Sequence, residues 1–211
     1  RVERLVQHHD ADLWAAVNGH NDIWTYMSYG PFADLPAFSE WVADRLKLDD
    51  PYSYAIIDRA GQAVGIATLM EIRPAMRVIE VGHIVYSPAL QRKPLGTEAQ
   101  YLLARYAFET LGYRRYEWKC NALNAASCRA AQRYGFAFEG ILRQHMRHRD
   151  GSLRDHDRGC GRHEHGRKRG HRERRGWDRH RRHRGWCGGR HSGRRRPGRP
   201  RRRRRRNVER R

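Results

Sequence analysis

No run of about 18 or more apolar residues occurs in the 211-residue sequence, which excludes an ordinary membrane-crossing helix. Nor is there a stretch that reads as a secretion signal, although the chain opens on Arg1 and a short piece is expected upstream. Cysteine is sparse: Cys120, Cys128, Cys160 and Cys187 show no close pairing pattern, which fits a reducing cytoplasm better than a disulfide framework. Internal repeats are absent. After Met146 apolar residues almost vanish, leaving only Leu153, Cys160, Trp177, Trp186, Cys187 and Val208. A segment so poor in apolar surface cannot offset the conformational entropy of ordering it.

What is present divides the same way. Residues 147–211 hold 28 Lys/Arg against 7 Asp/Glu, which accounts for the whole formal charge of +21. Residues 1–146 are therefore neutral, and long enough for one hydrophobic core. The expected organisation is a folded domain over 1–146 followed by a disordered Arg/Gly/His-rich tail.

Within the domain the hydrophobic period changes along the chain. A short strand is expected over 1–6 and a helix over 10–17, with Leu13, Trp14 and Val17 at helical spacing. Residues 25–36 are rich in Tyr, Gly and Pro and read as irregular. A second helix places Leu35, Phe38, Trp41, Val42 and Leu46 on one face. Strands follow at 54–57, 63–72 and 78–86. In the last of these Ile79, Val81, His83 and Val85 share one face, with Val78, Glu80, Gly82 and Ile84 on the other. Thr97 and Gln100 have capping-box spacing at the start of a third helix, whose buried stripe is Ala99, Leu102, Leu103 and Tyr106. Tyr116, Trp118 and Cys120 then alternate with Arg115, Glu117 and Lys119 in a strand with one wet face. Asn124 can cap a fourth helix ended by Gly135, and residues 136–146 read as a final strand.

The loop Gln91-Arg92-Lys93-Pro94-Leu95-Gly96 joins a long strand to a helix start. Free N–H groups there, the helix dipole and two cations make it a candidate phosphate site, against the plainer reading of an ordinary connection.

The stretch QRKPLGTEA, Gln91 to Ala99, resembles the pyrophosphate signature of the GNAT acetyltransferase superfamily. Its TEA continuation is similar to the branch of ribosomal-protein N-terminal (RimJ/RimL-like) acetyltransferases. Residues 78–88, VIEVGHIVYSP, resemble the family's splayed fourth strand, and residues 124–136, NAASCRAAQRYGF, its N-x-x-S…GF helix. The resemblance implies an α/β fold with a mixed, largely antiparallel sheet flanked by helices. It also implies direct acetyl transfer from acetyl-CoA to a primary amine, a protein N-terminus or a small amine, with no metal.

The same resemblance implies roles. The backbone of Ile84, Val85 and Tyr86 would pair with the pantetheine arm. Gln91 opens the loop in which N–H groups from Arg92 through Lys93, Leu95, Gly96 and Thr97 would hold the pyrophosphate. Asn124 would contact the cofactor arm, and Ser127 would protonate the departing thiolate. Glu80 is the candidate base, and a backbone N–H would steady the oxyanion. Plainer readings stand beside these. Glu80 could be a half-exposed strand carboxylate, Ser127 a capping residue, His83 and Tyr134 core residues, and Cys120 and Cys128 packing.

Two departures matter. Pro94 replaces the first glycine of the loop signature and removes one N–H. The family's last strand is also expected to be missing, since HRDGSLRDHDRGCGRHEHG has no apolar alternation, and the tail to replace it. The tail has two readings. As a selected segment it is a sequence-independent nucleic-acid arm. Its abrupt Arg, Gly, His, Pro and Trp composition, with the single lysine Lys168, also matches a GC-rich gene read out of frame. A metal site drawn from Cys160, His163, His165, Cys187 and His191 fits no familiar zinc spacing.

Overall fold

The computed structural model describes residues 1–148 and 150–162; the rest of the tail, with its nucleic-acid and out-of-frame readings, lies outside the described residues. Seven strands form one sheet: β1 (Val2–Arg4), β2 (Tyr52–Ile57), β3 (Ala63–Arg73), β4 (Val78–Tyr86), β5 (Arg115–Asn121), β6 (Ala137–Arg147) and β7 (Leu153–Arg162). Their order is β1-β2-β3-β4-β5-β7-β6, and every pairing is antiparallel except β4 with β5.

The expected mixed α/β architecture is present, with one correction. The last strand is not lost: β7 lies between β5 and β6, with Trp118 opposite Gly159 and Cys120 opposite Asp157. It lacks apolar alternation because its core-facing side is largely glycine. Gly159 and Gly161 lie opposite Trp118 and Tyr116, and a Cβ on Gly161 would stand 3.8 Å from the Phe136 ring. Aromatic rings from neighbouring elements fill that space. On the other side Arg158 reaches Glu139 at 3.4 Å.

Helices α1 (Asp10–Val17) and α2 (Leu35–Leu46) cover one face, α3 (Pro94–Arg105) and α4 (Ala125–Arg133) the other. Strand alternation divides the core accordingly. Ala55, Ile57, Ile66 and Val85 pack with Leu13, Phe38 and Val42, whereas Ile56, Leu69, Ile79, Val81, Tyr116 and Trp118 pack with Leu103. The Asp34 carboxylate caps α2 by accepting from Ala37 N–H at 2.9 Å. Leu35, in the first turn of that helix, is exposed rather than on its buried face.

Two local expectations fail for identifiable reasons. Helix α3 starts at Pro94, not after Thr97, because proline has its φ pre-set and needs no N–H partner at the first helical position. Thr97 and Gln100 therefore form no capping box. A π-turn over Tyr106–Thr110 follows α3 and rotates the stripe, so Ala107 is buried and Tyr106 is exposed.

Candidate active site

Strands β4 and β5 pair only from Val78–Arg115 to Val81–Trp118. Beyond that point β4 continues through Gly82–Tyr86 and β5 through Lys119–Asn121 without pairing to each other. The sheet opens there as a wedge, and the β4 edge that faces it carries the backbone of Ile84, Val85 and Tyr86.

A β-bulge marks the opening. Ile66 pairs with Val85 but Thr68 pairs with Gly82, so β4 holds one extra residue, and His83 sits at φ +47°. The bulge inverts the alternation beyond it. Ile79 and Val81 pack toward α3, yet Val85 packs toward α1 and α2, while Ile84 and Tyr86 move to the α3 side. The single face read for Ile79, Val81, His83 and Val85 is thus corrected. His83 instead shares the α1/α2 side with Glu80 and meets Tyr29, its Nδ1 3.1 Å from the phenol oxygen.

At the foot of the wedge the loop before α3 is built around Tyr86. Its hydroxyl donates to Gly96 O at 3.1 Å and accepts from Gln100 Nε2 at 2.8 Å. Gln91 Nε2 donates to Tyr86 O at 2.9 Å. Gly96 leaves room for the ring: a Cβ there would stand 3.0 Å from Tyr86 Cε2 and 3.2 Å from Leu90 O. Lys93 N–H donates to Leu90 O and Gly96 N–H to Lys93 O. Pro94 has no N–H, and the N–H groups of Arg92 and Leu95 have no backbone partner among the described residues. Exposed Arg92 and Lys93 side chains surround them, and Arg92 turns the chain at φ +60°. The substitution of Pro94 for glycine therefore removes a donor without unwinding the helix start.

On the far wall Asn124 caps α4, its Oδ1 accepting from Ser127 N–H at 3.0 Å. The Ser127 hydroxyl accepts from Trp118 Nε1 at 3.2 Å. Both residues of the helix motif thus stand at the β5 side of the opening. Cys120 and Cys128 pack beneath, their sulfurs 3.7 Å apart, and burial pushes the Cys120 thiol up to about 11.

Glu80 is not a half-exposed carboxylate. It is 5% exposed and accepts from the Lys119 ammonium. Burial raises its pKa, with Lys119 pulling the other way. The face of β5 expected to be wet is likewise paired. Glu117 is buried between Arg73 at 2.6 Å and Arg115 at 2.7 Å. Burial works to raise its pKa, but the two guanidinium groups prevail and hold it below its usual value. No periodicity signals that these charges meet; only the strand order does. Sequence reading missed Tyr29 and Arg45 as neighbours of the wedge for the same reason. Among the described residues no group of metal-binding side chains is found, and of the metal site drawn from Cys160 the remaining residues lie outside them.

A seven-stranded, largely antiparallel sheet split between a bulged β4 and β5, with helices on both faces, is the mixed α/β architecture that the resemblance implies. The sequence matches the acetyltransferase (GNAT) domain over residues 3–137, and the chain belongs to that family. A GCN5-related N-acetyltransferase from Brucella melitensis is 43% identical, with a TM-score of 0.74 over 77% of this chain and 75% of that one. A probable GNAT-family acetyltransferase from Chromobacterium violaceum is 40% identical, with a TM-score of 0.71 over 76% of this chain and 81% of that one. The probable N-acetyltransferase YjcK of Bacillus subtilis is 30% identical over 106 residues, which span 49% of this chain and 58% of that relative. A spermidine N-acetyltransferase from Vibrio cholerae shares the fold at 18% identity, with a TM-score of 0.59 over 77% of this chain and 94% of that one.

Proposed function

We propose that this chain moves an acetyl group from acetyl-CoA to a primary amine by direct attack. The observation that carries the reading is the wedge, an unpaired β4 edge ending at a turn whose Arg92 and Leu95 N–H groups are unspent. The fit to the co-substrate rests on the same features. The edge from Ile84 to Tyr86 can receive an amide-bearing arm as an added strand, and the turn can receive a pyrophosphate. Gln91, Arg92 and Lys93 belong to that turn, Leu95, Gly96 and Thr97 to the first turn of α3, and Asn124 would face the arm from α4. When bound, acetyl-CoA supplies an activated acyl group.

The chain's own residues supply the proton handling. Glu80, buried and with a raised pKa, takes the proton of the incoming ammonium directly or through a water. Ser127, its hydroxyl oriented by Trp118, returns a proton on the leaving side. A backbone N–H would steady the developing oxyanion. The branch resemblance favours a protein N-terminus as acceptor over a small amine.

The deciding experiment is calorimetry of acetyl-CoA with the full chain at moderate salt, beside inorganic tripolyphosphate as a control for charge attraction to the tail. Saturable binding that survives added salt supports the reading. Heat equal to the control and abolished by salt would refute it.

A further inference from the structure

His83 occupies the bulge itself, at the mouth of the wedge and on the same side of the sheet as Glu80. Between them on that face lies Gly82, where a Cβ would come within 2.4 Å of Met70 Sδ, so the Met70 thioether packs against the backbone there. His83 is also tied to α2 through a chain of hydrogen bonds. Arg45 Nη2 donates to the Tyr29 hydroxyl oxygen at 3.2 Å, and that hydroxyl stands 3.1 Å from His83 Nδ1. The Arg45 guanidinium is itself stacked on Tyr29 and Trp41, at 4.7 and 4.9 Å from the ring centroids.

This chain has a direction. Arg45 can only donate, so it takes one lone pair of the Tyr29 oxygen. The phenol proton then needs an acceptor, and His83 Nδ1 is the one within reach among the described residues. Burial pushes the Tyr29 phenol up to about 12, which keeps its proton in place. Nδ1 is therefore the acceptor nitrogen, and the imidazole proton resides on Nε2. Nε2 has no hydrogen-bond partner among the described residues. The ring is thus a neutral donor held in one orientation by Tyr29.

We propose that His83 is a positioning residue for the acceptor, its Nε2–H donating to a carbonyl oxygen carried next to the acceptor's amine. This rests on the acetyl-transfer reading. A fixed N–H recognises an oxygen lone pair and gains nothing from an ammonium, so the device suits an amine followed by a carbonyl. An amine on a bare alkyl chain leaves the donor unused. Burial lowers the His83 pKa to about 4, so the ring adds no charge to repel the incoming cation.

The test is nitrogen NMR of the full chain labelled at its histidines, combined with kinetics. The resting protein is expected to show an acceptor-type Nδ1 and a protonated Nε2 at His83, and Tyr29→Phe to convert this to a tautomer mixture. A short peptide amide should move the Nε2 signal, and butylamine should not. Replacing the ring by His83→Phe should raise KM for the peptide amide about tenfold, the scale of one lost hydrogen bond. KM for butylamine and for acetyl-CoA should stay in place, and His83→Gln should recover part of the loss. A protonated Nδ1 in the resting protein would overturn the proposal. So would an Nε2 signal that ignores the peptide amide in a chain that acetylates it, or a KM change confined to acetyl-CoA. A peptide-induced shift without any acetyl transfer would instead count against the enzymatic reading, so the two failures are distinct.

Discussion

Lys119 on β5 donates to Glu80 on β4 beside the last residue pairs that join the two strands, so the proposed base is also half of a buried ion pair. The pairing lowers the Glu80 pKa while burial raises it, and burial prevails. Removing the carboxylate by Glu80→Gln should lower kcat by about 100-fold or more with little change in KM for acetyl-CoA. Removing only the cation by Lys119→Met should leave burial and the neighbouring Glu117 and Glu71 carboxylates unopposed and shift the acid limb of the pH–rate profile upward. Steady-state kinetics from pH 5 to 9 would check both. A Glu80→Gln enzyme of normal kcat would exclude the carboxylate as base.

His83 offers a stability signature apart from catalysis. Its folded pKa of about 4 lies below the ordinary 6.5 because of burial, so its contribution is fully present above pH 6.5 and lost as pH falls toward 4. The shift caps that contribution at about 3 kcal/mol. His145 and His156 are also depressed, mainly by burial, and act with the same sign; Glu80, with its raised pKa, acts with the opposite one. Subtracting the denaturation curves of His83→Phe from those of the parent isolates the one residue. The difference should grow from pH 4 to 6.5 and then level off; a flat difference would mean that His83 titrates normally.

Gly96 sets two opposed effects against each other. Alanine gains about 1 kcal/mol of helix propensity over glycine. Its methyl would press on Tyr86 and on Leu90 O, at 3.0 and 3.2 Å. Overpacking of that kind costs about 1–3 kcal/mol. Gly96→Ala should therefore lose only about 1 kcal/mol in stability, while displacement of the Tyr86 ring and its turn weakens acetyl-CoA at least tenfold. Melting and calorimetry on the same sample separate the two effects.

Much of the fold was legible because the responsible signals are local. Helix α1, strand β4 and the Asn124 cap stand where spacing and capping chemistry put them. What escaped depends on partners distant in sequence. The run VIEVGHIVY reads as unbroken alternation, and only the register against β3 reveals the extra residue at His83. Strand β7 looks like a loop because its apolar complement is supplied by Tyr116, Trp118 and Phe136 from other elements. Pro94 looked like damage to a glycine loop, yet it is a favourable first residue of α3. The site residues share this division: the Gln91–Thr97 turn and the Asn124–Ser127 pair carry local marks, whereas the Lys119 partner of Glu80 and the Tyr29 partner of His83 carry none.

The presence of β7 makes the end of the folded unit testable. Termination after Arg147 would strip β5 of its partner from Arg115 to Asn121 and leave those backbone groups exposed in mid-sheet. It would also delete Arg158 from the Glu139 pair and Asp157 from the packing beside Cys128. Such a chain should be insoluble or melt without a cooperative transition. Termination after Arg162 keeps the whole sheet and should melt cooperatively, within about 1 kcal/mol of the full chain, because the removed segment has almost no apolar residues to bury. The full chain and the chain ending at Arg162 together decide whether the arginine-rich segment has a use. If it is a nucleic-acid arm, the full chain should bind single-stranded oligonucleotides with a steep inverse dependence on salt, and the chain ending at Arg162 should not. Equal acetyl-CoA affinity in the two chains, with oligonucleotide binding in neither, would instead place all function in the sheet and its wedge.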